Sequence, residues 1–189
     1  MQDISLHLLD IIENSARAKA KNIYLDVIID EESDKIEFLV KDDGTGMDAE
    51  TLKNAQNPFY TSKAERVKKV GLGIPLFAQN AELCEGSFQL ESELGKGTNL
   101  IATFKHSHID RMPIGNLKDT LISAIIGHAE VDFWVQLTHS GAGKSLEWSF
   151  NTAEIKAELG DIPLTYPDVI QYIDENINDG IKKTEMEEN

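Results

Sequence analysis

The hydrophobic period changes several times along the first hundred residues, and this pattern restricts the fold more than any other feature. Apolar residues recur at helical spacing from about Leu6 to Lys19, and two alternating runs follow, YLDVIID and KIEFLVKD, joined by the acidic turn EESD. A change of period from 3.6 to 2 predicts a helix followed by a β-hairpin. Another helix is expected from about Ile74 to Cys84, followed by two strands, GSFQLESE and TNLIATFK. We predict an α+β fold with one layer of helices on a mixed sheet.

The first helix carries short polar groups among its apolar residues. Asp10, Glu13 and Asn14 lie between Leu8 and Ala16. One helical turn separates Asp10 from Asn14, so the two side chains point the same way, about 40° apart around the axis. This arrangement is unusual for a helix that only packs against a core, and it suggests a functional role for that face.

Composition excludes several kinds of partner. The chain has 189 residues and a formal charge of −15, which disfavours binding to nucleic acid or anionic lipid because those surfaces attract clustered Lys and Arg. No apolar run approaches the length of a membrane span, and no leader pattern is present. One cysteine, Cys84, cannot form an internal disulfide. The sequence therefore predicts a soluble cytoplasmic protein.

Three short loops are rich in glycine: DDGTG from Asp42, VGLG from Val70 and GKGT from Gly95. Glycine permits sharp turns and close approach of a ligand to backbone N–H groups. VGLG precedes a predicted helix, whose first turn would carry a partial positive charge suited to phosphate. Each loop alone is typical of an ordinary turn. Their order after the polar helix is the informative feature.

This order resembles the GHKL family of ATP-binding domains, found in DNA gyrase B, heat-shock chaperones of the ninety-kilodalton class, sensor histidine kinases and MutL proteins. The helix containing ENSARAKAKNI resembles the N box of that family, and DDGTG, VGLG and GKGT resemble its G1, G2 and G3 boxes. NPFYTSK resembles the histidine-kinase segment that introduces the lid over the nucleotide. The resemblance covers about residues 1–106 and implies a two-layer α/β sandwich, the Bergerat ATP-binding fold.

The resemblance also implies a ligand set of ATP and Mg²⁺. Asn14 matches the magnesium ligand of the family, and Asp42 matches the acid that accepts a hydrogen bond from the adenine amino group. Gly71 and Gly73 match glycines that wrap the phosphates. The full ATP-binding set implied in this way is Asn14, Arg17, Asp42, Gly44, Gly46, Met47, Phe59, Thr61, Ser62, Lys63, Gly71, Leu72, Gly73, Ile74 and Thr98.

Asp10 departs from the family pattern. Gyrase, chaperone and MutL members have a water-activating Glu four residues before the magnesium Asn, whereas this chain has Asp10. Aspartate can act as a general base, but its carboxylate is one methylene shorter, about 1.5 Å. Direct hydrolysis is therefore expected to be slow, and the substitution favours a phosphotransferase or a nucleotide-gated switch over a fast ATPase. Asp10 remains the candidate catalytic residue, and a purely structural hydrogen bond is the alternative.

A basic stretch lies between two of these loops. The segment from Asn57 to Val70 carries Lys63, Arg66, Lys68 and Lys69 in an otherwise acidic chain. Cations in such a lid would neutralise triphosphate charge on closing. A solvated basic loop is the alternative, but the adjacent glycines favour phosphate contact.

The region after His106 lies beyond the resemblance. We predict a linker over residues 107–116, a small α+β domain of unknown function over residues 117–183, and a disordered acidic tail over residues 184–189. SGAGKS in this region resembles part of a P-loop, but LEWSF after it is typical of a strand, which predicts a hairpin turn. Lys144 on that turn could also reach the γ-phosphate, by analogy with a lysine of the MutL and gyrase types.

Two classes of function follow from the sequence. The first is a Mg-ATP-binding enzyme that hydrolyses ATP slowly or transfers the γ-phosphate to a separate partner protein, as do anti-sigma-factor kinases and histidine kinases, which also use this fold. The second is a non-catalytic ATP sensor whose lid and second domain respond to nucleotide. An interaction protein that has lost ATP binding is a third and less favoured reading. A homodimer is possible, and neither a nucleic-acid nor a membrane partner is expected.

Overall fold

The computed structural model describes residues 3–55 and 73–186. Within these ranges the helices and strands alternate in runs, as the change of hydrophobic period predicts. The helices are α1 (Ile4–Arg17), α2 (Ala49–Ala55), α3 (Gly73–Leu83), α4 (Leu117–Gly127), α5 (Thr152–Leu159) and α6 (Pro167–Lys183). The strands are β1 (Asn22–Asp30), β2 (Lys35–Asp42), β3 (Ser87–Glu93), β4 (Gly97–Lys105), β5 (Asp132–Gly141) and β6 (Lys144–Asn151).

The strands form one mixed sheet in the order β3-β4-β2-β1-β5-β6. β1 pairs antiparallel with β2 and parallel with β5, and the other neighbouring pairs are antiparallel. Along β1, the buried residues Ile23, Leu25, Val27 and Ile29 alternate with exposed or half-buried ones, so one face of the sheet packs against the helices. This architecture confirms the predicted α+β fold with helices on a mixed sheet.

The helical layer is centred on α1, which contacts both α3 and α4. Asp3 caps α1 by accepting a hydrogen bond from the backbone N–H of Leu6 at 3.0 Å. The side chains of Ile4, Leu8 and Ile12 are fully buried beneath the helix. This packing leaves the face with Asp10 and Asn14 half-buried, toward the C-terminal part of the helix.

The region after residue 106 differs from the separate unit that the sequence suggests. β5 and β6 extend the same sheet through nine residue pairs between β1 and β5, from Asn22↔Asp132 to Asp30↔Ser140. The predicted linker is packed as well, because Pro113 and Ile114 accept hydrogen bonds from the first backbone N–H groups of α1. The pairing has a physical cause: β1 has a free edge after pairing with β2, and a strand with an apolar alternation can complete it.

Residues 184–186, which the sequence assigns to a disordered tail, are packed in the structure. Thr184 and Met186 are buried, and the Thr184 hydroxyl donates to the carbonyl oxygen of Gly180 at 2.8 Å. Residues 187–189 lie outside the described residues. The acidic residues near the end of the chain therefore follow a packed helix end.

The SGAGKS segment forms the turn between β5 and β6. Gly141 pairs with Lys144, and the two residues between them, Ala142 and Gly143, have φ values of 50° and 73°. Two consecutive positive φ values are typical of a type I′ hairpin turn. The structure confirms the predicted hairpin.

Candidate functional site

Asp10 and Asn14 lie together on the half-buried face of α1. The Asn14 Nδ2 group donates to the Asp10 Oδ2 atom at 3.4 Å, across one turn of the helix. This contact directs the amide nitrogen toward Asp10 and leaves the Oδ1 atom of Asn14 available to a ligand. A neutral amide oxygen is a suitable ligand for a hard cation.

Asp42 is a buried carboxylate at the end of β2. Asp42 is 6% exposed, and both of its carboxylate oxygens accept hydrogen bonds. Ser15 Oγ donates to Oδ2 at 2.6 Å, and the backbone N–H of Gly44 donates to Oδ1 at 2.8 Å. Because Ser15 follows Asn14 directly, its bond brings the C-terminal part of α1 onto Asp42.

Ser15 was missed at the sequence level. It lies one turn after Ile11, in the apolar stripe of α1, and both residues are buried. A serine in that stripe needs a hydrogen-bond partner when buried, which is the signal that sequence reasoning could have used. The acceptor, 27 positions away, could be identified only from the fold.

The DDGTG loop and Met47 after it are hydrogen-bonded to β3 and to the turn between β3 and β4. Gly95 donates its backbone N–H to the Thr45 carbonyl at 2.7 Å, and Met47 donates to Ser92 Oγ at 2.9 Å. Gly46 has a φ of 64°, and a side chain there would collide with the backbone of Glu93. Gly46 therefore permits the close contact of the two loops.

Thr98 lies beside Asp42 in the sheet. The two residues are Cα partners in the β2–β4 ladder, and Ser92 Oγ lies 3.0 Å from Thr98 Oγ1. Gly97, the preceding residue, has a φ of 94° and passes so close to the Asp42 carbonyl that no side chain fits. Ser92 is a second residue that sequence reasoning missed.

The start of α3 completes the arrangement. A side chain on Gly73 would overlap the Asp10 carboxylate, so the first turn of α3 lies directly against the Asp10 side of α1. Ile74 is half-buried and packs against the core. The first turn of α3 has no acidic residue, which leaves its backbone N–H groups favourable to an anion.

The structure brings together most of the predicted residues that it describes. Asp10, Asn14, Asp42, Gly73 and Thr98 lie on contacting elements, and Gly44, Gly46 and Met47 form the loop between them. Arg17 is exposed, and its Nε group donates to the Glu13 carbonyl of its own helix at 3.1 Å. The predicted residues Phe59, Thr61, Ser62, Lys63, Gly71 and Leu72, and the basic lid, lie outside the described residues.

Lys144 does not join this arrangement. Near one end of β1, Ile23 pairs with Asp42 of β2, and at the other end Asp30 pairs with Ser140 of β5. These positions are seven residues apart, or roughly 23 Å along the strand. The Lys144 turn therefore lies at the opposite end of the sheet, and the idea that this lysine reaches a γ-phosphate is wrong.

The donors at the site fit a cation that is held mainly by phosphate and water. Among residues 3–55 and 73–186, no group of three or more His, Cys, Asp or Glu side chains could hold a metal ion. Asn14 instead offers an amide oxygen with no hydrogen bond to the described residues, one helical turn from Asp10, whose carboxylate lies against Gly73 of α3. Mg²⁺ characteristically binds one or two protein ligands together with phosphates and several waters.

A family model for the histidine kinase-, DNA gyrase B- and HSP90-like ATPases matches residues 2–108 of this chain, which is more than half of its length. The chain belongs to this family. The match contains α1, the DDGTG loop, the start of α3 and the β3–β4 turn, which are the elements of the candidate site. It confirms the predicted GHKL-type domain.

Curated GHKL relatives are larger proteins. Sporulation kinase C of Bacillus subtilis (strain 168) is 33% identical over 90 residues, which is 48% of this chain and 20% of that protein. Sensor protein SrrB of Staphylococcus aureus (strain NCTC 8325 / PS 47) is 34% identical over 97 residues, which is 50% of this chain and 17% of SrrB. The aligned part is thus about a fifth of each relative or less.

A solved structure shows the same fold. The N-terminal domain of a DNA repair protein has a TM-score of 0.50 and 19% sequence identity, and the alignment covers 79% of this chain and 53% of that one. This coverage exceeds the extent of the family match, so the structural likeness includes part of the region after residue 108. Within the described ranges of this GHKL chain, every helix is too short or too polar to cross a membrane.

Proposed function

We propose that this protein binds Mg-ATP and either transfers the γ-phosphate to a separate partner protein or hydrolyses ATP slowly. The observation that best supports this proposal is the 2.6 Å hydrogen bond from Ser15 to Asp42. It joins the helix with the candidate magnesium ligand to the loop with the candidate adenine acceptor. A nucleotide that contacts both elements would extend its phosphates toward the first turn of α3.

Each group has a distinct role in this proposal. Asp42 accepts a hydrogen bond from the exocyclic amine of adenine, and guanine is disfavoured because it presents an oxygen at that position. The buried carboxylate remains able to accept this bond because each of its oxygens has two lone pairs. The Asn14 amide oxygen holds Mg²⁺, which neutralises phosphate charge. The N–H groups at the start of α3 bind phosphate oxygens.

Asp10 is the candidate general base. In hydrolysis it would accept a proton from the attacking water, and in phosphotransfer a proton from the acceptor side chain of the partner. Its carboxylate is half-buried between Asn14 and Gly73, near the predicted phosphate position. These neighbours support a role close to the phosphates.

A second candidate function is ATP sensing without turnover. The same contacts of Asp10 favour it, because a short carboxylate that bonds Asn14 and abuts Gly73 can fix the two helices without reaching a water. ATP would then act on the predicted lid and alter a surface that a partner recognises. We propose a cytoplasmic location for either function, supported by the acidic composition and single cysteine.

Calorimetry tests the binding proposal. We expect wild-type protein to bind ATP more tightly than GTP and to bind ATP more tightly with magnesium than without it. Asp42→Ala should weaken binding of ATP at least tenfold, and Asn14→Ala should abolish the magnesium dependence. Tight ATP binding by Asp42→Ala would refute the adenine assignment.

Radiolabelled ATP distinguishes turnover from sensing. Turnover in the wild type that falls at least tenfold in Asp10→Asn supports an enzyme with Asp10 as base. Equal rates in the two proteins, with ATP binding intact, would favour the sensor. Incubation of the labelled mixture with proteins that co-purify with the chain would identify a phosphate acceptor.

A further inference from the structure

Ser92 is a half-buried serine of β3 that none of the proposed binding roles uses. Its Oγ atom lies 2.9 Å from the backbone nitrogen of Met47, 2.8 Å from the carbonyl oxygen of Gly97 and 3.0 Å from the hydroxyl of Thr98. Met47 follows the DDGTG loop, and the other two residues begin β4. Ser92 therefore connects both elements to β3 close to Asp42.

Strand register places Ser92 in line with Asp42. Thr98 of β4 pairs with Asp42 of β2 on one side and with Ser92 of β3 on the other. Directly opposed residues of neighbouring strands point to the same face of a sheet, with their Cβ atoms about 4.5–5.5 Å apart. Asp42 continues the buried alternation of Phe38 and Val40, on the face that the helices cover. The three polar side chains thus form a row on that face, with Thr98 in the centre.

The contacts of Ser92 determine the direction of each hydrogen bond. A carbonyl oxygen carries no hydrogen, so the contact with Gly97 uses the single hydroxyl hydrogen of Ser92. Ser92 accepts from the N–H of Met47. The 3.0 Å contact between the two hydroxyl groups then requires Thr98 to donate to Ser92. The Thr98 oxygen keeps only lone pairs for a ligand, so it can accept a hydrogen bond but cannot donate one.

The neighbours of Thr98 have the same polarity. The Ser15 hydroxyl uses its hydrogen on the Asp42 carboxylate at 2.6 Å, and a carboxylate has only acceptor sites. Lone pairs are thus what Ser15, Asp42 and Thr98 can present to a ligand. An amino group, with two N–H donors, matches such a row. A carbonyl oxygen in the same place meets no donor from these three side chains.

We infer that Ser92 is a positioning residue for adenine selectivity: it holds the Thr98 hydroxyl as an acceptor, so a purine with an oxygen at position 6 meets lone pairs there. The inference rests on the proposed function, because it assigns Ser92 to the base end of the same ATP site. Asp42 alone discriminates less strictly, since a base with a hydrogen on N1 still donates to its carboxylate. Without Ser92, the Thr98 hydroxyl can rotate and donate to the base oxygen.

Inosine triphosphate, ITP, is the probe that tests this selectivity. It carries an oxygen in place of the amino group of ATP and a hydrogen on N1. Calorimetry on the full chain with magnesium measures both affinities, and we expect the wild type to prefer ATP more than tenfold. Ser92→Ala should reduce that preference about tenfold, the effect of one hydrogen bond. Ser92→Thr retains a hydroxyl and suits a strand, so its preference should stay within threefold of wild type.

Thr98→Val tests whether Ser92 acts through the Thr98 hydroxyl. Valine replaces that hydroxyl by a methyl group, so the oxygen of ITP no longer faces a lone pair and the preference for ATP should fall. In the Thr98→Val background, Ser92→Ala should change the ratio of the two affinities less than twofold, because no hydroxyl remains to rotate. Thr98→Val leaves the bonds from Ser92 to Met47 and Gly97 in place. It therefore tests the selectivity independently of the folding of Ser92→Ala.

Ser87→Ala is the matched control. Ser87 lies on the same strand, and its Oγ atom is 2.9 Å from the hydroxyl of Thr103 in the same β3–β4 ladder. Five residues separate it from Ser92, or roughly 17 Å along the strand. We expect both nucleotide affinities to stay within twofold of wild type in this variant. General loosening of the loop would lower both affinities by one factor and would leave their ratio unchanged.

The outcomes separate this inference from the proposed function. Wild-type protein that binds neither nucleotide refutes the proposed function itself, and equal wild-type binding of ATP and ITP refutes the adenine assignment of Asp42. If wild type prefers ATP, then an unchanged ratio in Ser92→Ala makes Ser92 a structural residue and overturns the inference. A tenfold effect of Ser92→Ala that persists in the Thr98→Val background also overturns it, because Ser92 would then act by another route.

Discussion

The hydrogen bond between Ser15 and Asp42 permits a quantitative prediction. Ser15→Ala removes a 2.6 Å bond to a carboxylate that is 6% exposed, and it leaves the Gly44 N–H as the remaining donor. Hydrogen bonds to buried charged groups contribute about 1.5–3 kcal/mol. We expect the variant to lose about 2 kcal/mol of unfolding free energy, which is roughly a 30-fold change in the folding equilibrium.

Ser5→Ala is the matched control for Ser15→Ala. Ser5 is another buried serine of α1, and it donates to the Asp3 carboxylate at 2.8 Å, outside the candidate site. Because that contact is only partly buried, its loss should cost less than about 1 kcal/mol. ATP affinity should fall in Ser15→Ala, where the adenine acceptor loses its support, and should be unchanged in Ser5→Ala.

A double-mutant cycle in urea isolates the pair. Ser15→Ala, Asp42→Ala and the double variant should give a coupling energy of about 1.5 kcal/mol or more at neutral pH, since either single change removes the Ser15–Asp42 bond. A coupling energy below about 0.5 kcal/mol would refute the reasoning. It would mean that water or the Gly44 N–H replaces the serine hydroxyl at little cost.

Other features of the structure give three further predictions. Burial lowers the pKa of His7, so the unfolded chain binds a proton first as the pH falls through about 6.5. The free energy of unfolding should therefore decline from its value above that pH towards pH 5.5, by up to about 1.4 kcal/mol for each unit of pKa difference between the folded and unfolded states. His7→Phe should remove this decline in urea titrations. An equal decline in both proteins would contradict it. Gly97 has a φ of 94°, and a Cβ there would overlap the Asp42 carbonyl, so Gly97→Ala should lower the free energy of unfolding in urea by about 2 kcal/mol or more. A smaller loss would show that the loop relaxes easily. Burial raises the pKa of Asp26, and the Glu37 charge adds to this effect, so its charged form opposes folding at pH 7 and Asp26→Asn should modestly raise the thermal midpoint there; a lower midpoint would count against it.

The local elements of the site were largely predictable from the sequence. Apolar periodicity locates α1, the β1–β2 hairpin and α3 to within two or three residues, because each buries a regular stripe or alternate face. The end of α1 was placed two residues late. Lys19 has a φ of 60°, and its N–H bonds the Ala16 carbonyl, so the helix terminates without the glycine that usually marks such an end.

Long-range partners could not be read from the sequence. The alternation in β5 shows which residues face the core, but it does not state which strand lies alongside. Pro113 and Gly115 are typical of a linker, yet the carbonyl groups of this segment satisfy the first N–H groups of α1. For the same reason the donor to Asp42 was missed, since Ser15 carries no local mark of its partner. The assignment of ATP roles depended on the family resemblance.

The region beyond the family match is coupled to the candidate site through α1. Its carbonyl groups at Pro113 and Ile114 hold the start of the helix, and His128 at the end of α4 lies 3.0 Å from Glu13, the residue before Asn14. α3 meets the same helix through the stacking of Phe77 on His7 and the contact of Gly73 with the Asp10 carboxylate. A shift of α1 would therefore alter both contacts at once. Because α1 also carries Ser15, a displacement of α4 would be transmitted through α1 to Asn14 and Asp42, the candidate magnesium ligand and adenine acceptor.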